Sequence, residues 1–195
     1  MPVNISNLSL YRGDKAVLQN YQQQFSQSRS CITGANGSGK SSLLCAIAGI
    51  LPYQSGSIHW HDSLISRARA DIAIASDAIL LPEFASAGDL ILLTQKLWQL
   101  KWPQRLIDGF AFAPQLDTQC GSLSTGNLKK LQLILAFMRQ PALLLLDEAN
   151  IALDTAAQQT LWQLIAGFDG YIIAASNEAN LYAAKGFALV ALHEV

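Results

Sequence analysis

The segment Gly34-Ala-Asn-Gly-Ser-Gly-Lys-Ser-Ser42 constrains this chain more than any other part of it. It has the spacing G-x-x-x-x-G-K-S. Before it lies a short strand-like run, Ser30–Thr33; after it comes a helical pattern, Lys40–Ile50, with Leu43, Leu44, Ile47 and Ala48 on its apolar positions. Strand, glycine-rich turn and helix in that order predict a phosphate-binding loop. Gly34, Gly37 and Gly39 can take backbone angles closed to other residues, so that N–H groups converge on phosphate oxygens across Asn36 and Ser38. The helix start adds its positive end. Lys40 is then placed to reach β- and γ-phosphates, the Ser41 hydroxyl to ligate Mg²⁺, and Ser42 to donate to the α-phosphate. ATP and Mg²⁺ are the implied cofactors.

A second segment completes the chemistry. Leu143-Leu-Leu-Leu-Asp-Glu148 reads as a strand buried on both faces and ending in two acids. Asp147 is placed to hold Mg²⁺ through water opposite Ser41. Glu148, one residue further, is placed to orient or deprotonate an attacking water.

The rest of the chain reads as α/β: a mainly parallel core sheet around the phosphate loop, an N-terminal antiparallel part and a small helical insert. Ser57–Trp60, Ile72–Ala75, Tyr171–Ala175 and Phe187–Leu192 are strand candidates, and Gln22–Gln27 is a turn or edge strand. Leu90, Leu93, Leu97 and Leu100 recur at helical spacing, Pro103 opens a helical stretch through Phe110, and Ser124–Met138 is the clearest helix. The expected organisation is a single domain over 1–195, with a helical subdomain over 78–140.

Composition narrows the class further. Charged residues are 14% of the 195 and hydrophobic ones 51%, which excludes disorder. The net charge of −1 offers no basic field for nucleic acid. Mean hydropathy is high at +0.24, yet the apolar runs 142–146 and 187–192 fall far short of the ~20 residues of a membrane span. Met1–Ile5 carries no secretory signal, so the chain is expected in the cytoplasm. Cys31, Cys45 and Cys120 form no CxxC pair and read as small buried hydrophobes in a reducing compartment. Trp98, Trp102 and Trp162 read as core, and His59 and His61 as an exposed strand edge.

Leu123-Ser-Thr-Gly-Asn127 opens the Ser124–Met138 helix, between the phosphate loop and the acidic pair. This order of motifs resembles the ATP-binding cassette (ABC) ATPases, whose LSGGQ motif precedes such a helix and strand. The resemblance spans essentially the whole chain. Ile151-Ala-Leu-Asp154 looks like the family's D-loop, and Tyr11-Arg-Gly13 stands where the family often has an adenine-stacking aromatic. The resemblance implies that Ser124, Thr125 and Gly126, with Asp154, meet the γ-phosphate held by a second subunit in a sandwich dimer around two ATP molecules. Among short single cassettes, Gly56-Ser-Ile-His-Trp60 and Ser42-Leu-Leu-Cys-Ala-Ile-Ala-Gly49 resemble the heme-exporter subunit of cytochrome c maturation and ABC-2 type efflux ATPases.

Two γ-phosphate sensors depart from the family pattern. Asp77 follows Ile72–Ala75 where a glutamine is usual, and Asn177 stands where the family carries its switch histidine. Asp77 adds a negative charge near the γ-phosphate, and Asn177 can donate a hydrogen bond but hold no positive charge. With Glu148 and Lys40 retained, slow hydrolysis is expected, with Asp77, Glu148 and Asn177 as the catalytic set. Two functions follow. One is a hydrolysing subunit of a bacterial exporter, peripheral on the inner face of the membrane, working with an integral membrane permease and a second, identical cassette. The other is a nucleotide-gated module in which ATP-driven dimerisation matters more than turnover.

Overall fold

Two sheets with opposite sequence signatures meet in the computed structural model, which describes residues 3–192. In chain order the first elements are β1 (Val3–Arg12), β2 (Lys15–Phe25), β3 (Arg29–Thr33), α1 (Lys40–Ile47), β4 (Ser55–Trp60), β5 (Ser63–Leu64) and β6 (Ile72–Ala75). There follow α2 (Ala87–Leu97), α3 (Gln104–Gly109), α4 (Thr125–Phe137), β7 (Leu143–Asp147), α5 (Thr155–Ala166), β8 (Tyr171–Ala175), α6 (Ala179–Ala184) and β9 (Ala188–Ala191). They fall into two units. One takes the described chain up to Ile74, Ala142–Glu148 and the part from Gly170 on; the other takes Ala75–Pro141 and Ala149–Asp169.

In the first unit the antiparallel sheet has the order β2-β1-β4-β5 and the second sheet the order β6-β7-β8-β3-β9. The pairings β7–β8, β8–β3 and β3–β9 are parallel. This is the mixed α/β architecture expected from the sequence. β1 alternates, burying Val3, Ile5, Leu8 and Leu10. The polar Gln22–Gln24 stretch lies in β2, at the edge of its sheet. β7 is buried along its whole length, as a strand covered on both faces must be. One apolar core joins Val3, Ile5 and Leu10 to Leu43, Leu44 and Ile47 of α1 and to Leu143 and Leu145 of β7.

α1 stops at Ile47, three residues short of the expected Ile50, because Gly49 turns left-handed at φ 70° and Ile50 N–H returns to the Cys45 carbonyl. The three cysteines are free and buried, and burial pushes the Cys31 thiol up to about 12, which leaves it inert at neutral pH.

The second unit is helical. Ser86 caps α2, its Oγ accepting from Asp89 N–H, but of the expected leucine face Leu93 and Leu97 are 52% and 70% exposed. Only Ala87 and Ile91 of α2 are buried. α4, by contrast, is buried nearly all round, Lys129 and Gln132 included. Trp98 and Trp102 are not core: they are 41% and 36% exposed. The Arg139 guanidinium lies over the Trp98 ring, 3.8 Å from its centroid, where cation–π attraction replaces burial. The helical segment expected over 78–140 falls within this unit, which also takes α5. Among the described residues, no helix is long and apolar enough to cross a membrane.

Candidate functional site

The phosphate loop joins β3 to α1 at the C-terminal end of the parallel strands. Gly37 and Gly39 are left-handed, at φ 85° and 98°, and Gly39 is the N-cap of α1. A Cβ on Gly39 would stand 2.5 Å from Val17 Cγ1, so the close approach of β2 to the loop requires glycine there. Ser38 is buried, and its Oγ has no hydrogen-bond partner among the described residues. An orphaned hydroxyl inside a glycine-built cradle at a helix start fits a bound phosphate.

Lys40 is buried at 6% exposure and its ammonium has three acceptors. These are the carbonyls of Gly34 and Ala35, each at 2.9 Å, and Asn177 Oδ1 at 2.7 Å. The Asn177 amide donates in turn to Asn36 Oδ1. Ser41 Oγ donates to Asp147 Oδ1 at 3.0 Å. A hydroxyl and a carboxylate so paired are the oxygen donors a hard divalent cation takes, so Ser41 and Asp147 fit Mg²⁺.

Glu148 follows directly. Its N–H donates to the Ala175 carbonyl at 2.9 Å, extending the β7–β8 ladder, while its own φ is +46°. The Ser176 hydroxyl donates to Glu148 Oε2 at 3.4 Å. Burial pushes the Glu148 carboxyl above its ordinary value, and Asp147 adds to the rise. Lys40, the Ser176 hydroxyl and the Asn177 backbone oppose it. The first unit thus brings together Gly34, Asn36, Gly37, Ser38, Gly39, Lys40, Ser41, Ser42, Asp147, Glu148 and Asn177. Ser176, unassigned from sequence, belongs with them.

Beside the loop is a cavity of about 310 Å³ lined by Gly37–Ser42 and, from the β1–β2 hairpin, by Arg12, Lys15, Ala16 and Val17. Tyr11 does not line it. The pairing register of β1 with β2 shifts between Leu10 and Tyr11, and such a shift changes which side chains face a neighbour.

The remaining expected residues belong to the second unit. Ser124 caps α4, its Oγ accepting from Asn127 N–H at 3.3 Å, and Thr125 begins the helix. A Cβ on Gly126 would stand 2.6 Å from the Ala152 carbonyl oxygen. Asp154 caps α5 by accepting from Ala157 N–H and pairs with Lys130 at 2.7 Å. Lys130 foremost, and the Ala157 N–H next, hold its carboxyl below the ordinary range. Asp77 forms an ion pair with Lys129.

The sequence model of the family described as ABC transporter matches residues 18–150. The aliphatic sulfonates import ATP-binding protein SsuB of Albidiferax ferrireducens is 30% identical over 197 residues, covering 100% of this chain and 66% of its own length. The ATP-binding cassette sub-family A member 7 of Rattus norvegicus is 28% identical over 146 residues, 68% of this chain and 6% of the relative. The chain therefore spans less than two thirds of either relative. Among solved structures, an ATP-binding subunit of an ABC transporter superposes with a TM-score of 0.84 at 20% identity, over 99% of this chain and 86% of that one. A dimeric bacterial ABC transporter cassette does so with a TM-score of 0.80 at 18% identity, over 97% and 94%. At those identities the likeness is one of fold.

Proposed function

This chain belongs to the ABC transporter family, and from that premise we propose that it binds and slowly hydrolyses ATP as the energising cassette of a membrane transporter. The observation that supports this best is the convergence of Lys40, Ser41, Asp147, Glu148 and Asn177 at one end of the parallel sheet.

Lys40 exchanges its carbonyl and amide acceptors for β- and γ-phosphate oxygens, and Ser41 and Asp147 hold Mg²⁺. Mg²⁺, when bound, screens the charge that develops on the phosphates. Glu148, its proton affinity raised by burial and its Oε2 fixed by Ser176, takes the proton of the attacking water. Asn177 offers an uncharged N–H where a cation would strengthen the transition state. The loss of a charge-assisted hydrogen bond, about 1.5–3 kcal/mol, slows turnover roughly 10- to 150-fold.

The partners in this reading are a permease and a second, identical cassette at the cytoplasmic face of the membrane. Two ATP molecules lie between the cassettes, each facing Ser124, Thr125, Gly126 and Asp154 of the opposite chain. Leu80, Phe84, Leu93 and Leu97 of the second unit, exposed at 90%, 82%, 52% and 70%, support a protein partner. The heme-exporter and ABC-2 resemblance makes export the proposed direction. The sulfonate relative is named for import, and transport assays in oriented vesicles carrying the permease separate the two.

One observation favours a nucleotide-gated module instead: Asn177 is committed on both sides of its amide, to Lys40 and to Asn36. Phosphate release and ATP-induced dimerisation by light scattering, with and without Glu148→Gln, decide between them. Under the hydrolytic reading Glu148→Gln abolishes release and accumulates an ATP-bound dimer, which Ser124→Arg dissolves. Release at background in both proteins, with dimerisation intact, selects the module. A Glu148→Gln protein that stays monomeric with nucleotide bound rejects the sandwich.

A further inference from the structure

Gly126 and Lys130 stand one turn apart on α4 and so share a face of it. Both meet the loop 150–154, which leads into α5. The Ala152 carbonyl oxygen lies so near α4 that a Cβ on Gly126 would stand 2.6 Å from it. One turn on, Lys130 Nζ lies 2.7 Å from Asp154 Oδ2, the lysine side chain 12% exposed and the carboxylate 58%. Asp154 Oδ1 accepts from Ala157 N–H at 2.8 Å, so both carboxylate oxygens are engaged inside this unit. Ala152 sits at φ +64°, a left-handed backbone that an alanine keeps only where its surroundings impose it. Gln158 holds the loop from α5, its Nε2 donating to the carbonyls of Asn150 and Leu153 at 3.3 Å each. Lys130 holds it from α4.

The helix start at Ser124–Gly126 and the loop at 150–154 are thus seated on each other at two successive turns. Resting on the sandwich reading above, we infer that Lys130 is a positioning residue for dimerisation. It acts through Asp154, tying the loop to α4 and presetting the shape that the second cassette meets. A loop without that tie must be ordered at each encounter, and ordering costs conformational entropy. A two-fold sandwich contains the tie twice, so a loss of about threefold per copy multiplies to about tenfold in the dimer. The carboxylate is largely in water, so removing the pair hardly changes the stability of one cassette.

The test separates the tie from the helix cap. Lys130→Met keeps the aliphatic stem without the charge, Asp154→Asn keeps a good cap without the charge, and Lys130→Arg keeps the pair. Each is placed in the full chain carrying Glu148→Gln. The measurements are Mg·ATP affinity by isothermal titration, the ATP-induced dimer by light scattering over protein concentration, and amide hydrogen exchange of 150–154 without nucleotide. Lys130→Met and Asp154→Asn should each weaken the dimer about tenfold, and the double variant no further, because one tie is broken. Exchange in the loop should quicken in both. In Lys130→Met the Mg·ATP affinity and the melting temperature should stay at the parent's values, and Lys130→Arg should restore both the dimer and the slow exchange. A dimer of parental strength in Lys130→Met, unquickened exchange, or losses that add in the double variant overturn the inference and leave the nucleotide site standing. A Glu148→Gln parent that binds Mg·ATP and stays monomeric overturns the sandwich reading, and the inference with it.

Discussion

Lys129 and Asp77 form an ion pair at 2.7 Å in which the lysine side chain is fully buried and the carboxylate is 63% exposed. The negative charge that the sequence sets after β6 is therefore met from α4, within the same unit. Gln132, one turn on, donates to the carbonyls of Ser76 and Ile79 and ties the same loop to the same helix.

The pair should respond asymmetrically to mutation. Asp77→Ala removes the carboxylate from a buried ammonium and should cost about 1–3 kcal/mol, less than the 3–5 kcal/mol of a fully buried pair because water reaches Asp77. Lys129→Met fills the same buried volume without a charge and should be close to neutral. Urea midpoints of the two variants and of the double variant check this. Equal losses in the two single variants would refute it.

Lys40→Ala should abolish measurable Mg·ATP binding in a folded protein, since the cradle loses its buried cation. Isothermal titration checks it, and unchanged affinity would remove the phosphate-loop assignment.

Asn177→His should raise turnover about tenfold if hydrolysis is slow but real, an imidazolium adding about 1.4 kcal/mol at the transition state. The substitution also withdraws the amide that joins Lys40 to Asn36. Steady-state phosphate release measures the outcome, and a rate at or below that of the wild type contradicts the slow-ATPase reading.

Burial raises the Glu148 carboxyl above its ordinary value of 4.5, and two pH dependences follow. A base acts deprotonated, so turnover should climb through the raised value rather than through the usual carboxylate range. Stability moves the other way. Below 4.5 the group is protonated folded or unfolded and contributes nothing. As pH rises from there through the folded value, the unfolded chain gives up its proton first, and the fold loses stability. Glu148→Gln should lack this loss, so its unfolding midpoint should overtake that of the wild type as pH rises. Parallel curves would refute the shift.

Gly126→Ala would place a methyl 2.6 Å from the Ala152 carbonyl oxygen, a backbone atom that cannot swing away. Overpacking of this kind costs about 1–3 kcal/mol. The melting temperature of the nucleotide-free variant should fall, whereas Thr125→Gly should lose far less. An unchanged Gly126→Ala melting temperature would show that the helix start yields.

The parts legible in the sequence were those whose signal is local. The phosphate loop, β7 and β8 announce themselves through glycine spacing and unbroken apolar runs, and Ser124 through its place before a helix. What failed to show depended on distant partners. Leu93 and Leu97 have helical spacing, but no element of the second unit covers them, so they stand in solvent. Lys129 looks like a surface lysine until Asp77, far along the chain, is brought to it. Register shifts between Ile5 and Leu8, Leu8 and Leu10, and Leu10 and Tyr11 break the alternation that would assign faces near Tyr11. Ser176 directly precedes Asn177, but only the β7–β8 register sets its hydroxyl beside Glu148.

The backbone at Glu148 stands at φ +46°, where glycine or asparagine is at ease and a glutamate is not. Held to stability alone, this position favours losing its acid, and Glu148→Gly should firm the fold by about 1 kcal/mol. A lineage with no use for turnover would therefore meet no resistance at residue 148. The single exchange of glutamate for glycine there would remove the acid and make the cassette sturdier at once. Thermodynamics favours glycine at this position, and the proposed role in water activation is what favours the acid.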